Sequence, residues 1–104
     1  MPFADELLEC LQEKLCRKAI IYSETPTCTT IVCKRKDKDD ILLLAVSTYN
    51  NYIYAKMVPE KLQQLEWNCS NIFHNPYGLY AFAENIRELV RKLVEKIRLV
   101  DVCF

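Results

Sequence analysis

The side chains of this chain with types suited to covalent chemistry are six cysteines, at positions 10, 16, 28, 33, 69 and 103, and a single histidine, His74. A cysteine nucleophile needs a base to take its proton and a third group to orient that base. Cys69 and His74 lie in one short polar stretch, but nothing beside them supplies the third group. Paired carboxylates occur as Asp39/Asp40 and Glu6/Glu9. They fall on a charged turn and on an outer helix face, which lack the burial that acid–base catalysis draws on. The close cysteine pairs, Cys10/Cys16 and Cys28/Cys33, are not C-x2-C, and one histidine cannot complete a zinc set. Gly78 is the sole glycine. Phosphate-binding loops need several glycines for the backbone to approach the anion, so P-loop and dinucleotide chemistry are excluded. The expectation is a chain that is not an enzyme, with no catalytic residues, no cofactor, no metal and no small-molecule substrate.

Six is an even number, so disulfides have to be weighed. Cys10 and Cys16 fall in a helical pattern and Cys33 in a strand pattern, and the chain is more regular than small disulfide scaffolds are. Residues 1–18 carry Asp5, Glu6, Glu9 and Glu13 and do not read as a secretory signal. These features predict free, mostly buried cysteines and an intracellular location, cytoplasmic or nuclear. The sequon Asn68-Cys69-Ser70 would then meet no glycosylation machinery. No apolar run approaches the roughly 20 residues of a membrane span, so no membrane partner is expected.

A length of 104 residues predicts one domain, 1–104. A chain of this size buries about two-thirds of its unfolded surface. The hydrophobic share of 51% is high for so small a core and hints at a partner. Fourteen basic residues offset fourteen acidic ones, so no global positive field attracts nucleic acid.

The elements that would position any site are organised around Ile41–Val58. Leu42, Leu43 and Leu44 in succession predict a strand dry on both faces. Tyr52, Tyr54, Lys56 and Val58 alternate with Ile53, Ala55 and Met57 in its partner, and Asn50-Asn51 tolerate the left-handed backbone of the return between them. Strands are predicted at about 18–23, 29–36, 41–47 and 52–58. Apolar residues at helical spacing predict an N-terminal helix over 3–16. Pro59 opens a short helix over 59–66, and residues 68–75 are irregular or a fifth strand. Phe82, Ile86, Leu89, Val90, Leu93 and Ile97 predict a long C-terminal helix over 79–100, supported by Glu88/Lys92 and Arg91/Glu95 pairs. The fold class is α+β: an antiparallel meander of four or five strands with both terminal helices on one face. Helix, antiparallel strands, helix resembles small α+β adaptor architectures, among them RWD-type domains and the small Alu-domain subunits of the signal recognition particle. RWD-type domains carry a tyrosine–proline segment after the sheet; Asn75-Pro76-Tyr77 holds those residues in the opposite order.

The functional expectation is an interaction subunit or adaptor that binds another protein or itself, a homodimer included. It would use an exposed sheet face or edge and the C-terminal helix. The residues expected to bind the partner are Tyr49, Tyr52, Tyr54, Leu99, Val102 and Phe104. Tyrosine supplies contact area and a hydrogen bond at modest entropic cost. The alternative is a small RNA-binding subunit that stacks bases on the open sheet face and contacts phosphates through Lys34, Arg35 and Lys36.

Overall fold

The structure, a computed structural model, describes residues 2–36 and 38–103, with side chains described for 3–36 and 38–100. Helix α1 (Pro2–Lys14) leads into β1 (Cys16–Glu24), β2 (Cys28–Arg35), β3 (Ile41–Tyr49) and β4 (Tyr52–Pro59). A single 3-10 turn (Glu60–Leu62) and the short helix α2 (Cys69–His74) precede β5 (Leu79–Ala83), and α3 (Ile86–Cys103) ends the chain. The strands lie in the sheet in sequence order and every neighbouring pair is antiparallel. The α+β meander read from the sequence is therefore the fold, with five strands.

Alternation along each strand creates two faces. The inner face presents Ile31, Cys33, Leu42, Leu44, Val46, Ala55 and Met57, and it is closed by Leu7 and Leu11 of α1 and Leu89, Val90 and Leu93 of α3. Each fully buried leucine contributes about 1.5–3 kcal/mol. The outer face carries a second, smaller cluster of Leu43, Ala45 and Val58 beneath Ile72 of α2. Because both clusters draw on β3, Leu42–Val46 are all buried and the leucine run does not alternate.

The turns follow the demands of the backbone. Asn50 (φ 49°) and Asn51 (φ 69°) both take the left-handed conformation of a two-residue hairpin. Gly78 has φ 111°, and a Cβ there would lie 2.6 Å from the Met57 carbonyl oxygen, so the sole glycine sits where no side chain fits.

The structure departs from the sequence reading at several points. Helix α1 stops at Lys14, and Cys16 opens β1 instead of ending the helix. The helix expected over 59–66 is only a turn, and 69–74, read as irregular or a strand, is α2, whose cap is the Asn68 side chain accepting from Asn71 N at 2.8 Å. The first part of the helix expected over 79–100 is β5. Leu79, Ala81 and Ala83 face inward there while Tyr80 and Phe82 face out. The helix starts later because Asn85 caps it, its Oδ1 accepting from Glu88 N at 2.9 Å. The free cysteines are also corrected. Cys16 bonds Cys33 and Cys28 bonds Cys69. Antiparallel pairing of β1 with β2 brings Cys16 and Cys33 to a Cα separation of 5.5 Å on the inner face, and α2 lays Cys69 over Cys28 on the outer face. Cys10, buried on α1, is the one unbonded cysteine among the described side chains.

Candidate partner-binding face

The outer face divides into a covered part and a bare part. The cover is the segment 62–77, which holds α2 and is tied together by its own amide side chains. Asn75 Nδ2 donates to Leu62 O (2.9 Å) and Gln63 Oε1 (2.8 Å), and Asn71 Nδ2 donates to Glu66 O (3.0 Å). These bonds satisfy backbone groups that a loop would otherwise leave to water, which gives the segment the character of a compact Ω-loop. Ile72 is its apolar foot on the sheet.

Lys56 is the polar anchor of this cover. It lies mid-strand on the outer face and is 1% exposed. Its ammonium donates to the carbonyls of Phe73 (3.3 Å) and Asn75 and sits 4.8 Å from the centre of the Tyr80 ring. Burying an ammonium costs several kcal/mol unless such partners replace water, and carbonyls at a helix C-terminus carry the partial negative charge that suits it. Tyr80 reinforces the site, since its hydroxyl donates to Phe73 O at 2.6 Å and its ring stacks on Phe73.

Beyond the cover the face is bare and aromatic. The register sets Tyr49 opposite Tyr52, Tyr54 opposite Phe82 and Lys56 opposite Tyr80. Tyr49, Tyr52, Tyr54, Phe82 and Tyr80 therefore form one continuous strip across β3, β4 and β5, and all five are exposed. Phe82, with no polar atom to wet, is 56% exposed. Its ring lies 6.1 Å from the rings of both Tyr52 and Tyr54. The ammonium of Lys92 lies 5.3 Å from the centre of the same ring. A cleft of about 270 Å³ at the rim runs from Tyr52 and Phe82 to Glu84 and Glu88.

Both sheet edges are blunted. On β5, Lys92 donates to Phe82 O (2.8 Å) and Lys96 to Tyr80 O, so two lysines one turn apart on α3 occupy the edge carbonyls. On β1, register shifts at Cys16/Lys18 and Ile21/Ser23 interrupt the ladder. Lys92 spends its charge at the edge and makes no ion pair with Glu88, contrary to the expected pairing. Glu88 pairs with Arg91, which also reaches Glu95 as expected. The Arg91 hydrogen bond holds the Glu88 carboxyl below its ordinary pKa, and the two glutamates raise that of Arg91.

Tyr49, Tyr52 and Tyr54 thus fall on one surface, while Leu99 does not join them. It is exposed on α3, on the opposite side of the sheet. Val102 and Phe104 fall outside the described side chains. Lys34, Arg35 and Lys36 do not converge. Lys34 points to the outer face, and Arg35 is 3% exposed, with Nη1 3.4 Å from Asp40 Oδ2. Lys36 reaches back to Glu13 O at 2.7 Å. Strand alternation separates neighbours that the sequence shows as a run. Cys69 is consumed by its disulfide and His74 Nδ1 meets Ser70 O at 2.7 Å, so the pair does not form a nucleophile and base. Burial raises the pKa of the Cys10 thiol, against the pull of Arg87. Among the described residues no group of three or more His, Cys, Asp or Glu could hold a metal ion, and no helix is long and apolar enough to cross a membrane.

Sequence reasoning missed Lys56, Tyr80 and Phe82. The signal for the last two was the alternation Leu-Tyr-Ala-Phe-Ala between Gly78 and the cap Asn85. Burial of Lys56 had no local signal, because a segment distant in sequence causes it. The chain matches no protein-family model, and no curated protein or solved structure is significantly similar to it.

Proposed function

We propose that the chain is a non-enzymatic interaction module, binding another protein or a second copy of itself on the bare half of the outer sheet face. One observation carries this reading: the continuous strip Tyr49, Tyr52, Tyr54, Phe82 and Tyr80, exposed beside the part of that face that α2 covers. Contiguous apolar surface on this scale costs solubility and typically marks an interaction site. Rings are efficient anchors, offering large area for few rotatable bonds. The blunted edges favour the face over strand addition as the docking mode.

The test is Tyr54→Glu together with Phe82→Glu. Tagged wild type and variant are recovered from the cells that make the chain, and their molar masses are measured by light scattering over a range of concentrations. A stoichiometric partner, or a dimer, seen with the wild type and lost in a variant that keeps its unfolding temperature supports the reading. An unfolded variant would make these rings core, and unchanged assembly would put the interface elsewhere. RNA stacked on the same rings is the second reading. It loses the contact group proposed for it, since Arg35 is buried and paired with Asp40, and it requires salt-sensitive retention on a polyanion column.

A further inference from the structure

We infer that Cys28–Cys69 is a site of thiol–disulfide exchange with a dithiol reductant, and that its opening releases the segment 62–77 from the sheet to extend the apolar outer face. The inference rests on the interaction reading only for the use made of the uncovered surface.

The two disulfides differ in what surrounds them. Cys16 and Cys33 are both fully buried in the inner core, shut in by α1 and the sheet. Cys28 and Cys69 are each only partly buried, at the boundary between the cover and the bare strip. Exchange begins with a thiolate reaching one sulfur of the bond, so access discriminates between them. The reductant thiolate attacks one sulfur of Cys28–Cys69, forming a mixed disulfide and releasing the other cysteine as a thiolate. The second thiol of the reductant then closes its own disulfide and releases the remaining cysteine. Two electrons pass to the cysteine pair, two protons end on its thiols, and the dithiol is oxidised to a disulfide.

The cover is built to respond to that step. α2 has six residues, too few to hold a helix without docking. The bond at Cys69 pins its first residue, while its far end hangs on Lys56 through Phe73 O and Asn75 O. The side-chain bonds within 62–77 keep that segment together, so it separates as a unit rather than unravelling. Beneath it lie Leu43, Ala45 and Val58, which adjoin the aromatic strip through Lys56 and Tyr54 of the same strands.

The experiment titrates the full chain with dithiothreitol, trapping thiols with iodoacetamide and following backbone hydrogen exchange by mass spectrometry. The expected result is a range of reductant over which Cys28 and Cys69 become labelled while Cys16 and Cys33 do not. Over that range, exchange of residues 62–78 rises at least about tenfold and the inner strands stay protected. The double variant Cys28→Ser/Cys69→Ser reproduces this exchange pattern without reductant. Simultaneous opening of both disulfides, exchange that rises everywhere, or an unchanged 62–78 in labelled protein or variant each overturns the inference. No partner is present in this measurement, so its outcome is independent of whether the aromatic strip binds one.

Discussion

The two faces of the sheet are made from the same strands and solve different problems. The inner face is sealed by two amphipathic helices, and its residues are mostly aliphatic and buried. The outer face is sealed over only part of its area, by a short segment tied to it by a disulfide and a buried ammonium. Over β3, β4 and β5 its remaining area carries the rings of Tyr49, Tyr52, Tyr54, Tyr80 and Phe82. The inner face therefore carries most of the apolar core, and the outer face is closed only in part. Loop closure adds to the contrast. On a chain-entropy view, the 17-residue separation of Cys16–Cys33 is worth about 3 kcal/mol and the 41-residue separation of Cys28–Cys69 about 4. The larger covalent contribution thus falls on the face with the smaller core.

Truncation on each face tests this division most strongly. Leu44→Ala on the inner face removes a fully buried side chain between α1 and α3, and should cost about 2–5 kcal/mol. Phe82→Ala on the outer face removes a ring already largely in water, and should cost about 1 kcal/mol or less. Urea unfolding of each variant, with the slope unchanged, measures the difference. Equal losses would mean that the outer rings are structural and that the two faces are not distinct in kind.

A smaller and more local effect is expected at Lys56. Lys56→Met keeps the stem but leaves Phe73 O and Asn75 O without their ammonium donor. Phe73 O keeps the Tyr80 hydroxyl, so the loss falls on Asn75 O; an unpaired carbonyl costs about 1–3 kcal/mol, partly offset by no longer burying a charge. The loss should appear as faster hydrogen exchange in 69–78, with little change in the inner strands. If global stability falls while 69–78 exchanges no faster than the rest, Lys56 supports the sheet itself and not its cover.

The inner face was more readable in the sequence than the outer face, for a physical reason. Helical and strand periodicities report which side of an element meets a core, so α1, most of α3 and the Ile41–Val58 hairpin could be placed from Leu7, Leu11, Leu89 and the alternation around Tyr54. The asparagine turn followed from local backbone preference. What failed rested either on an ambiguous local period or on contacts between segments far apart. Phe82 stands four residues before Ile86, a helical spacing, and only the alternation from Leu79 and the cap at Asn85 separate the strand from the helix. The pairing of Cys28 with Cys69 depends on where α2 lands, and no spacing encodes that. Tyr49, Tyr52 and Tyr54 could be placed together on one surface because a two-residue turn fixes their register. Tyr80 and Phe82 join it from β5, which returns after the cover.

The smallest expected change in stability bears on how the outer face stays available. Lys92 and Lys96 each donate to a β5 edge carbonyl, and both are otherwise at the surface of α3. Replacing both by alanine removes two solvent-accessible hydrogen bonds, and unfolding free energy should shift by only about 0.5 kcal/mol. The consequence should lie in association instead. Phe82 O and Tyr80 O would then be unoccupied on an edge that already presents the ring of Phe82, the combination that templates pairing with another strand. Light scattering of Lys92→Ala/Lys96→Ala should give a mass that grows with concentration, and adding Phe82→Glu should suppress it. A variant as monodisperse as the wild type would show that the lysines do not guard the edge. The proposed preference for the face over the edge would then rest on the strand bulges and the rings alone.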